Sequence, residues 1–289
     1  MKIGAAKKSQ TDGKIHPTLG GLVFFGDFMT ITDELPNYFL DYREHLTNDS
    51  RWSDRVNSGD GTWSGNIFDF YYKVIDRLTA DVKKPFRLDS NLLRIDDTSI
   101  HKSLRECLAN ALIHADFHGR RGIVVDKEFR KIVIANPGTF RIGIDEAIAG
   151  GISDARNGRI FNMFALINVG ERSGTGICDV YHIWAENGFK EPSYVETVDP
   201  DRIVLTLQMD PYDNGDDGND GSLTQNEIYV LHVISKMPAL SASKIAAATG
   251  ISKPSVERAL RSLKEKKYIR REGSTRGRWI ILKERYRRV

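Results

Sequence analysis

The segment Arg105–His114, RECLANALIH, carries three polar side chains at intervals of four residues: Glu106, Asn110 and His114. On a helix these would form one stripe, because four residues advance a helix by a full turn plus about 40°. A carboxylate can accept a proton from water, and an amide oxygen can ligate Mg²⁺. An amphipathic helix that shows its polar side to water has the same spacing. Asn is a poor helix former, however, and its mid-helix position favours a site.

Two glycine-containing turns follow in the sequence. Asn136-Pro137-Gly138 comes directly after the β-branched run KIVIAN, and residues 170–176, GERSGTG, precede a helical pattern that begins near Ile177. Glycine lets backbone amides approach phosphate oxygens closely, and the start of a helix adds a positive dipole. Together with the polar stripe, these turns predict a nucleotide site.

The order of helix, strand with NPG turn, and glycine loop resembles the Bergerat-type ATP-binding fold of gyrase, Hsp90, histidine kinases and MutL. The segments RECLANALIHADF, NPGTFRI, GGISDARN and NVGERSGTGI resemble more closely the RecG-related transcriptional regulators of bacteria. This resemblance implies an α/β fold, with an α+β sandwich of Bergerat ATPase type. Full-length members usually begin with an AlbA-like or Schlafen-type domain, which is missing here, so we expect a fragment or a shorter relative.

The resemblance also implies roles for individual residues. Glu106 would be the catalytic base and Asn110 would bind Mg²⁺ that bridges the phosphates of ATP. Gly174 and Gly176 would cradle phosphate, and residues 139–169 would form a lid. Asn136 stands where the ATPases carry an Asp that accepts a hydrogen bond from adenine. The remaining expected cofactor-binding residues are His114, Gly138, Arg156, Asn157, Gly170 and Thr175.

Three functions remain open. The first is a DNA-binding regulator whose front domain binds ATP and hydrolyses it weakly with Mg²⁺. The second is a DNA-binding regulator whose ATPase-like domain serves dimerisation or another ligand. The third is an ATP-consuming enzyme that a basic tail localises. The sequence contains no GxxxxGK[ST] motif, which disfavours a P-loop helicase.

Charge is distributed unevenly along the chain. Residues 222–289 contain 16 Lys and Arg against 5 Asp and Glu, whereas residues 1–221 contain 26 against 34. This asymmetry predicts that the C-terminal end meets a polyanion. Between the two parts, DPYDNGDDGNDG at 210–221 is almost free of apolar side chains and predicts a flexible acidic linker. We therefore expect domains at 1–209 and 222–289.

The C-terminal part predicts three helices and a hairpin. Thr224 and Glu227 form a capping-box pattern, SASKIAAATG predicts the second helix, and KPSVERALRSLKEKKYI predicts the third. This pattern resembles a winged helix-turn-helix, which implies binding of double-stranded DNA as a homodimer. The expected DNA-binding residues are Ser252, Lys253, Ser255, Arg258 and Arg261 on the third helix, with Arg276 and Arg278 on the wing. Five or six phosphate contacts would give a slope of log K against log salt of roughly −4.5 to −5.5.

In the N-terminal part, two runs predict extended segments: LGGLVFFG and PNYFLDYRE. FDFYYKVIDRL predicts a helix, and so does the polar-stripe segment, with a cap at Asp97, Thr98 or Ser99. GIVVD and KIVIAN predict a hairpin around Lys127–Arg130, and RIVLTLQM predicts the last strand.

Several classes of protein are disfavoured. No apolar run reaches the ~20 residues that a membrane span needs, and neither end carries a signal-peptide core, so we expect a cytoplasmic protein without membrane contact. Cys107 and Cys178 are too few for a disulfide framework and predict free thiols. His114, Asp116 and His118 offer three metal ligands in five residues, but no fourth ligand is evident, and we favour hydrogen bonding or packing for His114.

Overall fold

The computed structural model describes residues 3–45, 52–80, 82, 98–128, 131–170, 174–209, 223–249, 251–273 and 277–282. The chain divides into two compact units. The first contains residues 1–43, 55–127 and 131–211, and the second contains residues 212–289 together with 44–54 and 128–130. The predicted linker 210–221 lies outside the described residues, and the predicted domain boundaries stay a prediction.

The strands of the first unit are β1 (Ala6–Lys8), β2 (Ile15–Pro17), β3 (Leu40–His45), β4 (Asp54–Asn57), β5 (Ile123–Glu128), β6 (Lys131–Pro137), β7 (Ser193–Thr197) and β8 (Arg202–Gln208). Its helices are α1 (Leu19–Phe25), α2 (Phe28–Glu34), α3 (Ile67–Thr79), α4 (Ser99–His114), α5 (Ile144–Ala149), α6 (Gly158–Ala165) and α7 (Gly176–Glu186). Six strands form one sheet in the order β4-β3-β5-β6-β8-β7, and β1 and β2 form a separate hairpin.

The sheet buries one face because its side chains alternate in the two-residue period of a strand. Ile203, Leu205 and Leu207 of β8 are buried, and the residues between them are half-buried. The predicted hairpin is confirmed: β5 and β6 pair antiparallel, with Val125 opposite Ile134. Strand β6 also pairs antiparallel with β8, which in turn pairs antiparallel with β7. This mixed α/β architecture agrees with the predicted fold class.

Helix α4 is the polar-stripe helix, and Thr98 is its N-cap. The Thr98 side chain accepts a hydrogen bond from the His101 amide, and the His101 ring accepts one from the Thr98 amide, which completes a capping box. Leu104, Leu108 and Leu112 are fully buried. The helix packs against β6, α3, α6 and α7, so it lies at the centre of the first unit.

The extended conformation that we predicted for LGGLVFFG is wrong, because these residues form helix α1. Thr18 caps the helix by accepting a hydrogen bond from the Gly21 amide. A Cβ atom at Gly21 would overlap the Ala5 carbonyl, so the missing side chain permits close packing against the N-terminal segment. Local capping and tertiary packing override the strand preference of Val23 and Phe24.

The second unit contains α8 (Gln225–Lys236), α9 (Ala242–Thr249), α10 (Lys253–Glu265), β9 (Ile269–Glu272) and β10 (Arg278–Ile281). The two strands pair antiparallel, with Trp279 opposite Arg271. A separate core joins the three helices to the hairpin and includes Val230, Ile245, Val256, Leu263 and Ile269. Three helices followed by a two-stranded wing agree with the predicted winged helix-turn-helix.

Glu227 joins the start of α8 to the end of α10. Its carboxylate accepts hydrogen bonds from the Thr224 amide at 2.6 Å and from Lys266 Nζ at 3.0 Å. Burial opposes ionisation of this carboxyl, but hydrogen bonds from Ser262, Lys266 and Thr224 outweigh that effect and lower the pKa of Glu227. The lowered pKa means that the fold favours the ionised form.

We predict that Glu227→Gln destabilises the winged helix at neutral pH by about 1–3 kcal/mol, because a buried charge-assisted hydrogen bond is lost. The contribution of Glu227 is fully present above the unfolded pKa and is lost as pH falls through the lowered pKa of the folded state, so the difference between the two proteins should shrink in acid. Hydrogen exchange of the α8 amides at pH 7 and near pH 3.5 measures both effects. Glu257→Gln, an exposed change on α10, is the control, and equal exchange in parent and Glu227 variant would contradict the assignment.

Candidate functional site

The first unit contains an open cavity that encloses about 950 Å³ of atom-free space, part of it open to solvent. Its walls come from α4, from the end of β6, from residues 139–156, from the start of α7 and from strands β7 and β8. Seven of the residues that we predicted for the nucleotide site line it: Glu106, Asn110, His114, Asn136, Arg156, Gly174 and Gly176. The polar stripe of α4 therefore faces a cavity rather than open solvent.

Glu106 and Asn110 are in direct contact on the cavity wall. Asn110 Nδ2 donates a hydrogen bond to Glu106 Oε1 at 3.2 Å, as the four-residue spacing on a helix permits. A Cβ atom at Gly176 would come within 2.5 Å of Glu106 Oε1, so a side chain at the first residue of α7 would displace this carboxylate from its present position. The Glu106 carboxylate thus lies beside the N-terminal end of α7, where the helix dipole is positive.

Gly174 lies against the segment that we expected to form a lid. Its carbonyl accepts a hydrogen bond from the Gly151 amide at 3.0 Å, and a Cβ atom at Gly174 would come within 2.7 Å of the Ile152 backbone. Its φ of +69° also favours glycine. The glycine loop is thus joined to the lid segment through backbone contacts that a side chain would prevent. Residues 171–173 of this loop lie outside the described residues.

Arg156 and Asn157 cap the C-terminal end of α4. Asn157 Nδ2 donates to the carbonyls of Ile113 at 2.9 Å and Ala115 at 2.7 Å. Arg156 Nε donates to the His114 carbonyl at 3.1 Å, and its Nη2 donates to the Thr139 carbonyl at 2.8 Å. These bonds satisfy carbonyls that the end of a helix leaves without intrahelical partners. Asn157 therefore has a structural role here, whereas Arg156 combines such a role with a place on the cavity wall.

Four residues that we predicted for cofactor binding are not among those that line the cavity: Gly138, Asn157, Gly170 and Thr175. Gly138 packs against Asp116 and Arg156, and Gly170 packs against Ile113 and Phe161, both with positive φ. Thr175 is the N-cap residue of α7, but its side chain makes no capping hydrogen bond. The structure places these four residues around the cavity and does not bring them into its wall.

The part of the cavity wall that the sheet forms is apolar apart from the side chains of Asn136 and Tyr194. Asn136 is 5% exposed and lies on the buried face of β6, two residues after Ile134. Its Nδ2 donates to the Pro137 carbonyl at 3.3 Å, which leaves Oδ1 as an acceptor. Tyr194 of β7 is half-buried, and its ring packs edge-on against Phe140 with centroids 5.7 Å apart. Sequence analysis did not identify Tyr194, since no motif surrounds it.

His114 and Cys107 are titratable groups of the cavity wall, and the protein shifts the pKa of both. Burial lowers the pKa of His114, and the positive charge of Arg156 lowers it further. The imidazole is therefore uncharged at neutral pH. Burial likewise raises the pKa of the Cys107 thiol, with a smaller contribution from Glu106, so this cavity-lining cysteine is a thiol and not a thiolate. Both described cysteines are free, as predicted.

A second candidate site is the exposed surface of α10. Lys253, Arg258 and Arg261 are exposed on this helix, and Arg278 is exposed on β10. Ser252 is the N-cap: its hydroxyl accepts from the Ser255 amide and also hydrogen-bonds to the Ser255 hydroxyl. Arg276 lies outside the described residues. Two further exposed cations, Arg270 and Arg271, lie on β9 and were not predicted, although their place directly after the third helix could have indicated them.

Family comparisons divide the chain in the same way. Residues 128–207 match the family described as "Putative ATP-dependent DNA helicase recG C-terminal", and residues 222–278 match the MarR family. The chain carries a RecG C-terminal, ATPase-type domain followed by a MarR-family winged helix. Residues 1–41 match a domain of unknown function. These two matches confirm the resemblance to RecG-related regulators that the sequence indicates.

One solved structure is similar over most of the chain. The crystal structure of the DIP2311 protein from Corynebacterium diphtheriae superposes with a TM-score of 0.53 at 15% sequence identity. The match covers 96% of this chain and 56% of the other, so this chain spans little more than half the length of that protein. At this identity the likeness supports the fold alone. A search of curated proteins found no match.

The residues on the cavity wall fit the chemistry of a nucleotide with Mg²⁺. The amide of Asn110 offers a hard oxygen ligand, and the sheet offers an apolar surface with one amide acceptor. Within the described ranges, no three His, Cys, Asp or Glu side chains lie together as a metal site, and His114, Asp116 and His118 do not form one. None of the described helices is long and apolar enough to cross a membrane.

We predict that Asn157→Ala loosens the end of α4 and the segment that follows residue 150, because the Ala115 carbonyl loses its partner and the Ile113 carbonyl keeps only the Asn157 backbone amide. Each lost hydrogen bond to a buried backbone group costs about 1–3 kcal/mol. Hydrogen exchange should become faster in the last turn of α4 and in α6, with little change in β8. Asn187→Ala removes an exposed side chain with one local bond and is the matched control. Unchanged exchange at the end of α4 would show that Asn157 does not hold this helix.

Proposed function

We propose that this protein is a transcriptional regulator that binds double-stranded DNA through its winged helix and binds ATP with Mg²⁺ in the cavity of its N-terminal unit. The observation that carries the nucleotide proposal is the convergence of Glu106, Asn110, Asn136, Gly174 and Gly176 on one cavity, although they come from three separate segments of the chain. Convergence of residues far apart in sequence supports a shared ligand, since packing alone does not require polar side chains at the wall.

Each residue has a role that its position supports. The Asn136 amide oxygen accepts a hydrogen bond from an exocyclic amine of the base, while one N–H of the amide nitrogen donates to the Pro137 carbonyl. The Asn110 amide oxygen ligates Mg²⁺, and its nitrogen keeps the bond to Glu106. Bound Mg²⁺ would neutralise charge on the phosphates. Glu106 would accept a proton from water, which gives weak hydrolysis at most, because its carboxylate is held by Asn110 and packed on Gly176.

A second candidate function keeps DNA binding but assigns the N-terminal unit to dimerisation or to another ligand. Asn136 favours this alternative, because a neutral amide accepts a hydrogen bond less strongly than the aspartate of the ATPases that the chain resembles. Under either function we propose a homodimer, since winged helices of this kind usually bind two half-sites about 34 Å apart. The exposed cations of α10 and of the wing supply the phosphate and base contacts.

We predict that a fluorescent ATP analogue binds the parent protein saturably and only with Mg²⁺, and that Asn110→Ala abolishes the Mg²⁺-dependent part. The amide of Asn110 is the ligand oxygen that the variant lacks. Titration with and without Mg²⁺ measures both, and Asn187→Ala should bind like the parent. Failure of the parent to bind the analogue would reject the nucleotide site and leave the second candidate function. Slow release of phosphate by the parent protein that is absent in Glu106→Gln would identify Glu106 as the catalytic base.

We predict that Arg258→Ala weakens DNA binding about tenfold and leaves nucleotide affinity unchanged, because this exposed guanidinium faces away from the core of its own unit. Each lost phosphate contact should also make the slope of log K against log salt less steep by about 0.9. Fluorescence anisotropy at several salt concentrations measures both quantities. Arg120→Ala, an arginine that is 82% exposed in the first unit, is the control. Equal DNA affinity of the parent and the Arg258 variant would remove α10 from this role.

A further inference from the structure

Tyr194 lines the cavity, and the proposed function gives it no role in binding. It belongs to β7, the edge strand of the sheet, and faces Leu205 of β8 in the register of the two strands. Leu205 in turn faces Ile134 of β6, and all three side chains line the cavity. Tyr194 therefore lies on the same face of the sheet as Asn136, in the neighbouring row of paired residues. A leucine or valine would fill this place if packing were the only requirement.

Among the described residues, no group hydrogen-bonds to the Tyr194 hydroxyl, and its ring contacts Phe140. A tyrosine hydroxyl on a cavity wall can donate a hydrogen bond to a ligand atom. Burial raises the pKa of Tyr194 well above its ordinary value, with smaller contributions from Cys107, Tyr181 and Glu106, so the group remains a hydrogen-bond donor at all physiological pH values.

Phe140 and Tyr194 together form an aromatic wall. The Phe140 amide donates to Glu196 Oε2 at 2.7 Å, which ties the first residues of the lid segment to β7. The two rings are thereby held in one arrangement, which suits a planar ring system that packs on them. Ile203 and Leu205 complete an apolar surface beside the wall. A flat, uncharged ligand group fits this end of the cavity.

The charged side chains near Tyr194 indicate which part of a nucleotide would contact it. The negative charge of Glu106 acts on the Tyr194 hydroxyl, so a phosphate at this position would meet repulsion from the carboxylate. Among the described residues that line the cavity, the arginines are Arg141 and Arg156, and both belong to the lid segment. A base or sugar is neutral and is not repelled. The position of Tyr194 therefore favours the nucleoside part of the ligand.

We infer that Tyr194 is a ligand-contacting residue whose ring packs on the base of the bound nucleotide and whose hydroxyl donates a hydrogen bond to the nucleoside. This assignment rests on the proposed nucleotide site and adds a specificity-determining residue to it. The Asn136 amide oxygen accepts a hydrogen bond from an amino group of the base, whereas the Tyr194 hydroxyl donates a hydrogen bond to the nucleoside. The pair would select a purine that offers both an amine and an acceptor over a ligand that offers only one of them.

The experiment compares Tyr194→Phe with the parent in the full chain. A fluorescent ATP analogue is displaced by ATP, by adenosine or by inorganic triphosphate in the presence of Mg²⁺. We expect the variant to bind ATP and adenosine about threefold to tenfold more weakly, which is the effect of one lost hydrogen bond, and to bind triphosphate unchanged. Tyr72→Phe, a change at an exposed tyrosine on α3, should match the parent.

Each outcome has a defined meaning. Equal affinities of the parent and Tyr194→Phe for ATP and adenosine would overturn the inference while leaving the nucleotide site in place. Weaker binding of triphosphate alone would also overturn it, because the contact would then be to phosphate. Failure of the parent to bind the analogue would reject the proposed function itself. Thermal melting of the variant checks folding, and Tyr194→Leu, which also removes the ring, should lower adenosine affinity further.

Discussion

Helix α4 buries one face completely and presents a polar stripe to the cavity. The rest of the N-terminal unit depends on the packing that holds the helix in this orientation. Leu104, Leu108 and Leu112 are without measurable exposure, which fixes the rotation of the helix about its axis. Once that rotation is fixed, Glu106 and Asn110 can only face the start of α7 and the end of β6. The geometry of the candidate site is therefore a consequence of core packing.

The two ends of α4 are held by different means. Its first turn is closed locally by Thr98 and His101, as the short sequence pattern predicts. Its last carbonyls are satisfied from more than 40 residues away by Arg156 and Asn157. A local cap costs little loop-closure entropy, whereas a distant one fixes a long segment to the helix. The lid segment thus begins and ends at the helix that carries the polar stripe, because Arg156 also binds the carbonyl of Thr139.

The difference between local and distant contacts explains what could be predicted from sequence. The hairpin of β5 and β6, the winged helix and the cap at Thr98 follow from alternation, periodicity and capping within a few residues. Helix α1 was missed because Gly21 packs against Ala5, a contact that no local pattern encodes. Asn157 was assigned to a ligand because spacing cannot distinguish a polar side chain that faces a cavity from one that caps a helix. Tyr194 was overlooked because its neighbours in the cavity come from strands distant in the sequence.

The contacts of the lid segment imply competition between the protein's own groups and a bound phosphate. The Gly151 amide is a donor aimed at the glycine loop, and the Gly174 carbonyl occupies it. A phosphate oxygen can accept from that amide only if the carbonyl moves away. Arg156 binds the carbonyls of His114 and Thr139, and the Arg141–Asp154 ion pair at 3.1 Å lies within the stretch 139–156 of the lid segment. In the proposed nucleotide complex, entry of a phosphate would therefore compete with the backbone hydrogen bond between Gly151 and Gly174.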